Sequence, residues 1–163
     1  MSHPRPERER PLGVPVALVR VAAVAYASVL TVITLLPTRW RSDLARYRHN
    51  WRPQLVPVWN MAVNLRDGDR RLATLAGAVA NVALFVPLGF LLPLLLPRLD
   101  RLWRTVAAGL ALSTLIELSQ VAFPGVRRAD VNDVLTNTLG TAVGYLAYRL
   151  VARASTGRRD ARV

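Results

Sequence analysis

The chain has 163 residues, of which 52% are hydrophobic, and 22 basic residues against 10 acidic ones give it a formal net charge of +12. Its mean hydropathy of +0.25 is high for a soluble domain with this charge, so the apolar residues must be segregated along the chain. The basic residues are all Arg and Cys is absent, which excludes a disulfide framework, a thiol nucleophile and a thiolate metal site.

Four long apolar runs cover residues 14–36, 72–96, 103–123 and 131–150, between a charged, Pro-rich tail at 1–13 and a basic tail at 153–163. A helix of about 20 residues crosses a hydrocarbon core of about 30 Å. The runs lack the alternation of barrel strands, which favours helices. We therefore predict an all-α, integral membrane four-helix domain over residues 14–152, with a disordered N-terminal tail, short loops and one longer Arg- and Trp-rich loop at 37–71.

The arginines concentrate between and beside the apolar runs. Arginine at such positions meets anionic lipid headgroups, so we expect membrane lipids and not nucleic acid as partners. The two sides of a four-span arrangement carry nearly equal numbers of arginines, but those near the termini are denser along the chain. We therefore predict a multi-pass protein of the cell membrane with cytoplasmic termini.

Polar side chains interrupt the last three apolar runs. A charged group at membrane depth is costly and usually faces a partner or an interior cavity. Antiparallel spans would bring these residues to one side, with Asn81, Glu117 and Asn137 at similar depth, about 9 to 10 Å from the helix ends. We expect one polar pocket with two arginines at its mouth, formed by Asn81, Glu117, Gln120, Arg127, Arg128, Asp130, Asp133 and Asn137.

Helical periodicity separates two faces in the fourth run. The polar and small residues there recur on one side, whereas Leu135, Leu139, Leu146 and Leu150 recur on the other. We expect the leucine face to meet lipid. In the second run, Thr74, Gly77 and Asn81 share a face of small and polar residues that suits close helix packing.

Three segments resemble successive signature blocks of the VanZ-like family. They are NVALFVPLGF at 81–90, IELSQ at 116–120 and RADVNDVLTNTLG at 128–140, within a resemblance that covers about residues 55–150. The resemblance implies a multi-helix membrane protein of the cell envelope. Founding members of the family are associated with low-level resistance to the glycopeptide antibiotic teicoplanin, but no reaction is firmly attached to the family.

The first functional hypothesis is a pocket that binds or processes an amphiphilic lipid or cell-wall precursor. Arg127 or Arg128 would bind a phosphate or carboxylate through bidentate, charge-assisted hydrogen bonds. Glu117 and Asp133 are the candidates to hold a divalent cation or to exchange protons. The sequence has no serine–histidine pair, metal-binding histidine motif or Gly-rich phosphate loop, so catalysis stays a minority alternative.

Two other readings of the same polar residues stay open. One is a non-catalytic structural or interaction module, in which the network of arginines, carboxylates and amides sets the helix packing. The other is a small transporter or proton relay, for which intramembrane carboxylates are also expected. The absence of an evident internal repeat disfavours transport.

Overall fold

The computed structural model describes Leu12 and residues 14–35, 59–66, 68–122 and 130–160, and within these ranges the chain is all-helical. This confirms the predicted all-α class. The helices are α1 (Val16–Leu35), α2 (Trp59–Arg66), α3 (Gly68–Leu95), α4 (Leu102–Ala122) and α5 (Val131–Asp160), with a 3₁₀ turn at Pro97–Leu99. The described ranges thus hold five helices rather than four, because the short α2 forms within the predicted long loop.

Four of the helices cover the apolar runs, with two extensions. Helix α3 begins at Gly68, one turn before its apolar run, and Asp69 in its first turn is favourable beside the positive end of the helix dipole. Helix α5 continues ten residues beyond its apolar run, to Asp160. Ala and Arg recur in that extension, and both are good helix formers.

Helix α1 runs antiparallel to α3, and α4 runs antiparallel to α5, whereas α3 and α5 lie parallel to each other. One buried cluster joins Val19, near the start of α1, to Leu94 at the end of α3 and to Tyr145 and Tyr148 in α5. A second cluster joins residues from the C-terminal half of α1 to the middle of α3 and α4, and consists of Leu30, Phe85, Leu88 and Ile116. The two clusters follow the bundle axis from one end towards the other.

The most extensive contact joins α3 to α5, and three glycines allow it. A Cβ atom at Gly89 would overlap the carbonyl oxygen of Thr141, and a Cβ atom at Gly144 would overlap that of Val86. Gly140, four residues before Gly144, lies equally close to the α3 backbone. Small residues at this spacing let two helix backbones approach directly. At Gly77 the predicted close packing is not found among the described residues, since a Cβ atom there would meet none of them within 4 Å.

Burial follows the two predicted faces of α5. The four leucines of its predicted lipid face are all exposed, whereas Asn137, Thr141 and Tyr148 are buried. In the described ranges, α1 and α3 are long and apolar enough to cross a membrane, and only 11% and 22% of their most apolar segments are buried. Apolar helices that are this exposed are unlike the core helices of a soluble protein.

Candidate functional site

A cavity of about 180 Å³ lies where α1, α3, α4 and α5 meet. Amide and carboxylate side chains line one part of it and aliphatic side chains line the rest. The lining residues are Ile33 and Thr34 from α1, Ala80, Asn81 and Leu84 from α3, Ile116, Glu117 and Gln120 from α4, and Asp133 and Asn137 from α5. We call this the polar cavity.

Two hydrogen bonds between side chains cross the helix interfaces beside the polar cavity. The Nδ2 group of Asn81 donates to Oδ1 of Asp133 at 2.8 Å, which joins α3 to α5. The Nδ2 group of Asn137 donates to Oγ of Ser113 at 2.9 Å, which joins α5 to α4. The sequence predicted that Asn137 lies at the depth of Glu117. In the structure Asn137 pairs with Ser113, which lies one helical turn further from the α4–α5 connection than Glu117 does.

The carboxylates of Glu117 and Asp130 organise the start of α5. Oδ1 of Asp130 accepts from the backbone N–H of Asn132 at 2.9 Å and from its Nδ2 group at 2.8 Å, so Asp130 is the N-cap of the helix. Oε2 of the buried Glu117 accepts from the backbone N–H of Asp130 at 2.9 Å. Both negative charges therefore lie at the positive end of the α5 dipole, where they are stabilised.

Gln120 links α4 to α1. Its Nε2 group donates to the backbone carbonyl of Thr34 at 3.0 Å, in the last turn of α1, and both residues are buried. This bond satisfies one of the carbonyls that the end of a helix leaves without an intrahelical partner. Sequence reasoning did not assign Thr34 to the site, because nothing in the pattern of the first run distinguishes it from other threonines.

One buried hydrogen-bond acceptor beside the polar cavity, Oδ1 of Asn137, has no donor among the described residues. The residue as a whole is 6% exposed. A buried polar atom without a partner costs roughly 1–3 kcal/mol, so native structures rarely retain one without a reason. The unpaired oxygen belongs to a residue that lines the cavity.

The structure brings together Asn81, Glu117, Gln120, Asp133 and Asn137 of the predicted pocket. Asp130 lies beside them as a helix cap. Arg127 and Arg128, predicted at the mouth, fall outside the described residues. Ser113 is not a member of the predicted site, although it lies four residues before Glu117, and that helical spacing was the signal that could have placed it there.

The carboxylates of Glu117 and Asp133 and the amide oxygen of Asn137 are hard oxygen donors of the kind that Mg²⁺ and Ca²⁺ prefer. Among the described residues, however, no group of three or more His, Cys, Asp or Glu side chains could hold a metal ion. The donor set thus suits a polar organic group at least as well as a cation.

A family model described as VanZ/LLP1 matches residues 23–152, which include every residue that lines the polar cavity. No protein of curated function and no solved structure matches the chain.

Proposed function

The chain belongs to the VanZ/LLP1 family, and from that premise we propose that it is a multi-pass membrane protein of the cell envelope. In this proposal the polar cavity binds the polar head of an amphiphilic lipid or cell-wall precursor. If the ligand is a precursor that glycopeptide antibiotics recognise, the protein would also influence susceptibility to those antibiotics.

An inverted burial pattern supports the membrane location. The buried polar residues include Thr105, Ser113, Glu117, Gln120 and Asn137, whereas leucines and valines are exposed along every long helix. In water this arrangement would leave apolar surface exposed and polar groups desolvated. In a bilayer it is favourable, because lipid covers the apolar surface and the polar groups satisfy one another inside.

Helix lengths support four spans in a transmembrane domain of residues 14–152. Helices α1, α3, α4 and α5 have 20, 28, 21 and 30 residues, enough to cross about 30 Å at a rise of about 1.5 Å per residue. Helix α2 has 8 residues and is too short to cross. An even number of spans places both termini on one side, which we assign to the cytoplasm, with the polar cavity towards the outer face.

Single-cysteine labelling tests this orientation without a background signal, because the chain has no Cys. Asp69→Cys lies at the start of α3 and Ser155→Cys lies near the end of α5. A membrane-impermeant maleimide added to intact cells should label the first variant and spare the second. The reverse pattern would invert the orientation, and equal labelling of both would contradict an odd number of crossings between them.

The unpaired Oδ1 of Asn137 is the observation that carries the ligand proposal. A cavity of about 180 Å³ equals roughly six water volumes, so it accepts a headgroup and not a whole lipid. The unpaired oxygen and two carboxylates favour a headgroup that donates hydrogen bonds, such as a hydroxyl, amide or ammonium group. The exposed apolar surfaces of α1 and α3 would contact the rest of an amphiphile.

The test is native mass spectrometry, with lipid identification, of protein purified in mild detergent. The variant Glu117→Gln/Asp133→Asn removes both charges but keeps an acceptor oxygen for the N–H of Asp130 and for the amide of Asn81. We expect wild type to retain a specific lipid or precursor. The double variant should retain at least about ten-fold less of it, since hydrogen bonds to charged groups contribute about 1.5–3 kcal/mol. The control Asp69→Asn removes a carboxylate from the exposed start of α3 and should retain the ligand.

A structural module is the second candidate, because the hydrogen bonds of the site also tie helices together. Asn81 joins α3 to α5, Gln120 joins α4 to α1, and Glu117 holds the start of α5. Under this reading the double variant would lose thermal stability, and its lipid profile would equal that of wild type. Ligand loss at unchanged thermal stability would contradict a purely structural role.

A further inference from the structure

A second cluster of polar residues lies where α3, the 3₁₀ turn and α4 meet the far half of α5. The carboxylate of Asp100 accepts from the hydroxyl groups of Tyr145 and Tyr148, each at 3.3 Å. Nη1 of Arg149 lies 3.6 Å from Oδ1 of Asp100, so the charge of this arginine is matched within the cluster. Arg149 follows Asn137 by twelve residues, which places the cluster about 18 Å along α5 from the polar cavity.

An open cleft of about 600 Å³ lies against this cluster. We call it the basic cleft, and it is lined by Asp100, Arg101, Leu102, Tyr145, Leu146, Arg149, Leu150 and Arg153. Since Asp100 and Arg149 pair with each other, Arg101 and Arg153 provide its charge excess. Within the described ranges neither of these two arginines has an ion-pair partner, and both are exposed.

The surface around the basic cleft is apolar. Leu102, Leu146 and Leu150 line the cleft and are exposed, with Leu150 at 67%. Trp103 follows directly on α4, is also exposed, and has the guanidinium of Arg104 5.1 Å from its ring centre. Exposed Trp and Arg together are typical of the boundary between hydrocarbon and headgroups. The cleft therefore combines unpaired cations with apolar surface, which is the combination expected of a lipid-phosphate site at that boundary.

We propose that the basic cleft binds the phosphate of an anionic phospholipid, with Arg101 and Arg153 as phosphate donors and the three leucines in contact with the acyl chains. Guanidinium groups bind phosphate oxygens through two parallel N–H···O bonds. Two uncompensated positive charges favour a headgroup with net negative charge over a zwitterionic one, whose ammonium group would meet the same arginines. The inference is independent of the ligand of the polar cavity.

The experiment measures lipid binding by native mass spectrometry of delipidated protein titrated with phosphatidylglycerol or phosphatidylcholine. We expect wild type to prefer phosphatidylglycerol. Arg101→Gln/Arg153→Gln should weaken phosphatidylglycerol binding roughly 30-fold, because each juxtamembrane arginine contributes about 1 kcal/mol. The control Arg66→Gln/Arg71→Gln removes the same charge from exposed positions at α2 and the start of α3, and should bind as wild type does.

Three results would overturn the proposal. Equal binding of the two lipids by wild type would remove the charge selectivity, and equal losses in the test and control variants would show only a general effect of charge. Displacement of phosphatidylglycerol by glycerol phosphate at equal concentration would assign the cleft to a soluble phosphate. The single variant Arg153→Gln should also weaken phosphatidylglycerol binding. It changes an exposed side chain near the end of α5, so a loss of folding cannot explain weaker binding.

Discussion

The polar cavity and the Asp100 cluster are both polar sites inside the same bundle, but they differ in how completely their hydrogen bonds are satisfied. At the Asp100 cluster, one carboxylate faces three donors from α5, and the pairing of Asp100 with Arg149 leaves no isolated charge between them. At the polar cavity, the amide of Asn137 uses its N–H group on Ser113 and keeps a buried oxygen unpaired. The first arrangement is expected where polar side chains hold helices together. The second is expected where a ligand supplies the missing hydrogen-bond donor.

This difference shows that polarity inside a helix bundle does not by itself indicate a ligand site. Asp130 was a predicted pocket residue, yet its carboxylate caps α5. In our proposal, the unpaired acceptor of Asn137 distinguishes the binding site from the packing contacts. Variants can therefore be chosen that damage one region and spare the other, and their effects are expected to fall in the following order.

The largest effect is expected at the joint between α3 and α5, which holds both regions in register. In Gly144→Ala the added Cβ would overlap the carbonyl oxygen of Val86, which is backbone and cannot rotate away. We expect the free energy of unfolding to fall by about 3 kcal/mol. Thermal unfolding in detergent measures this change.

Gly77→Ala is the matched control for Gly144→Ala, since a Cβ at Gly77 meets nothing within 4 Å. The control should be neutral or more stable by up to about 1 kcal/mol, because Ala favours helix over Gly. If the two alanine variants unfold at the same temperature, the close approach of α3 and α5 is not a determinant of stability.

The next largest effect is expected from a variant that damages the Asp100 cluster and leaves the polar cavity intact. Asp100→Ala removes the acceptor of Tyr145 and Tyr148 and the partner of Arg149. We expect a loss of about 2 kcal/mol in stability, moderated by water because the Asp100 side chain is 31% exposed. Ligand retention at the polar cavity should not change, and native mass spectrometry beside thermal unfolding checks both quantities. Loss of the cavity ligand in a folded Asp100→Ala protein would show that the regions are coupled.

Asn137→Leu tests whether the polar cavity binds its ligand through the unpaired oxygen of Asn137. The variant loses a hydrogen bond to Ser113 but also removes the unpaired oxygen, and these opposing effects should keep the stability change within about 1 kcal/mol. Ligand retention should be abolished. Ser113→Ala is the comparison, since it removes the same hydrogen bond and leaves Oδ1 in place, so it should retain the ligand. Retention by Asn137→Leu would mean that the unpaired oxygen does not bind it.

The smallest effect is expected where α1 meets the polar cavity. Gln120→Leu leaves the carbonyl of Thr34 without its donor in the last turn of α1. A loss of about 1 kcal/mol or less is expected, with faster amide hydrogen exchange confined to the C-terminal part of α1. Thr114→Val removes an exposed hydroxyl bonded only to the carbonyl of Leu110 within α4, and exchange in α1 should not change. Equal exchange of α1 in Gln120→Leu and wild type would count against the link.

The helical class and the two faces of α5 could be predicted because each depends on local periodicity. Leu139 and Leu146 are exposed and Asn137 is buried as their spacing indicated. The short α2 was missed, because its segment carries no long apolar run. The packing glycine was misplaced at Gly77, although the spacing of Gly140 and Gly144 carries the signal of close packing that the structure shows.

In α5, the sequence alone determined which side chains point inward, since a period of 3.6 residues assigns each position to a face before any partner is known. Only the tertiary structure decided which partner each inward side chain meets, because that depends on the axial register between helices. Close contact at Gly89 and Gly144 sets this register for α3 and α5. It brings Asn81 to Asp133, whereas the pairing of α4 with α5 brings Asn137 to Ser113 and leaves the amide oxygen of Asn137 unpaired.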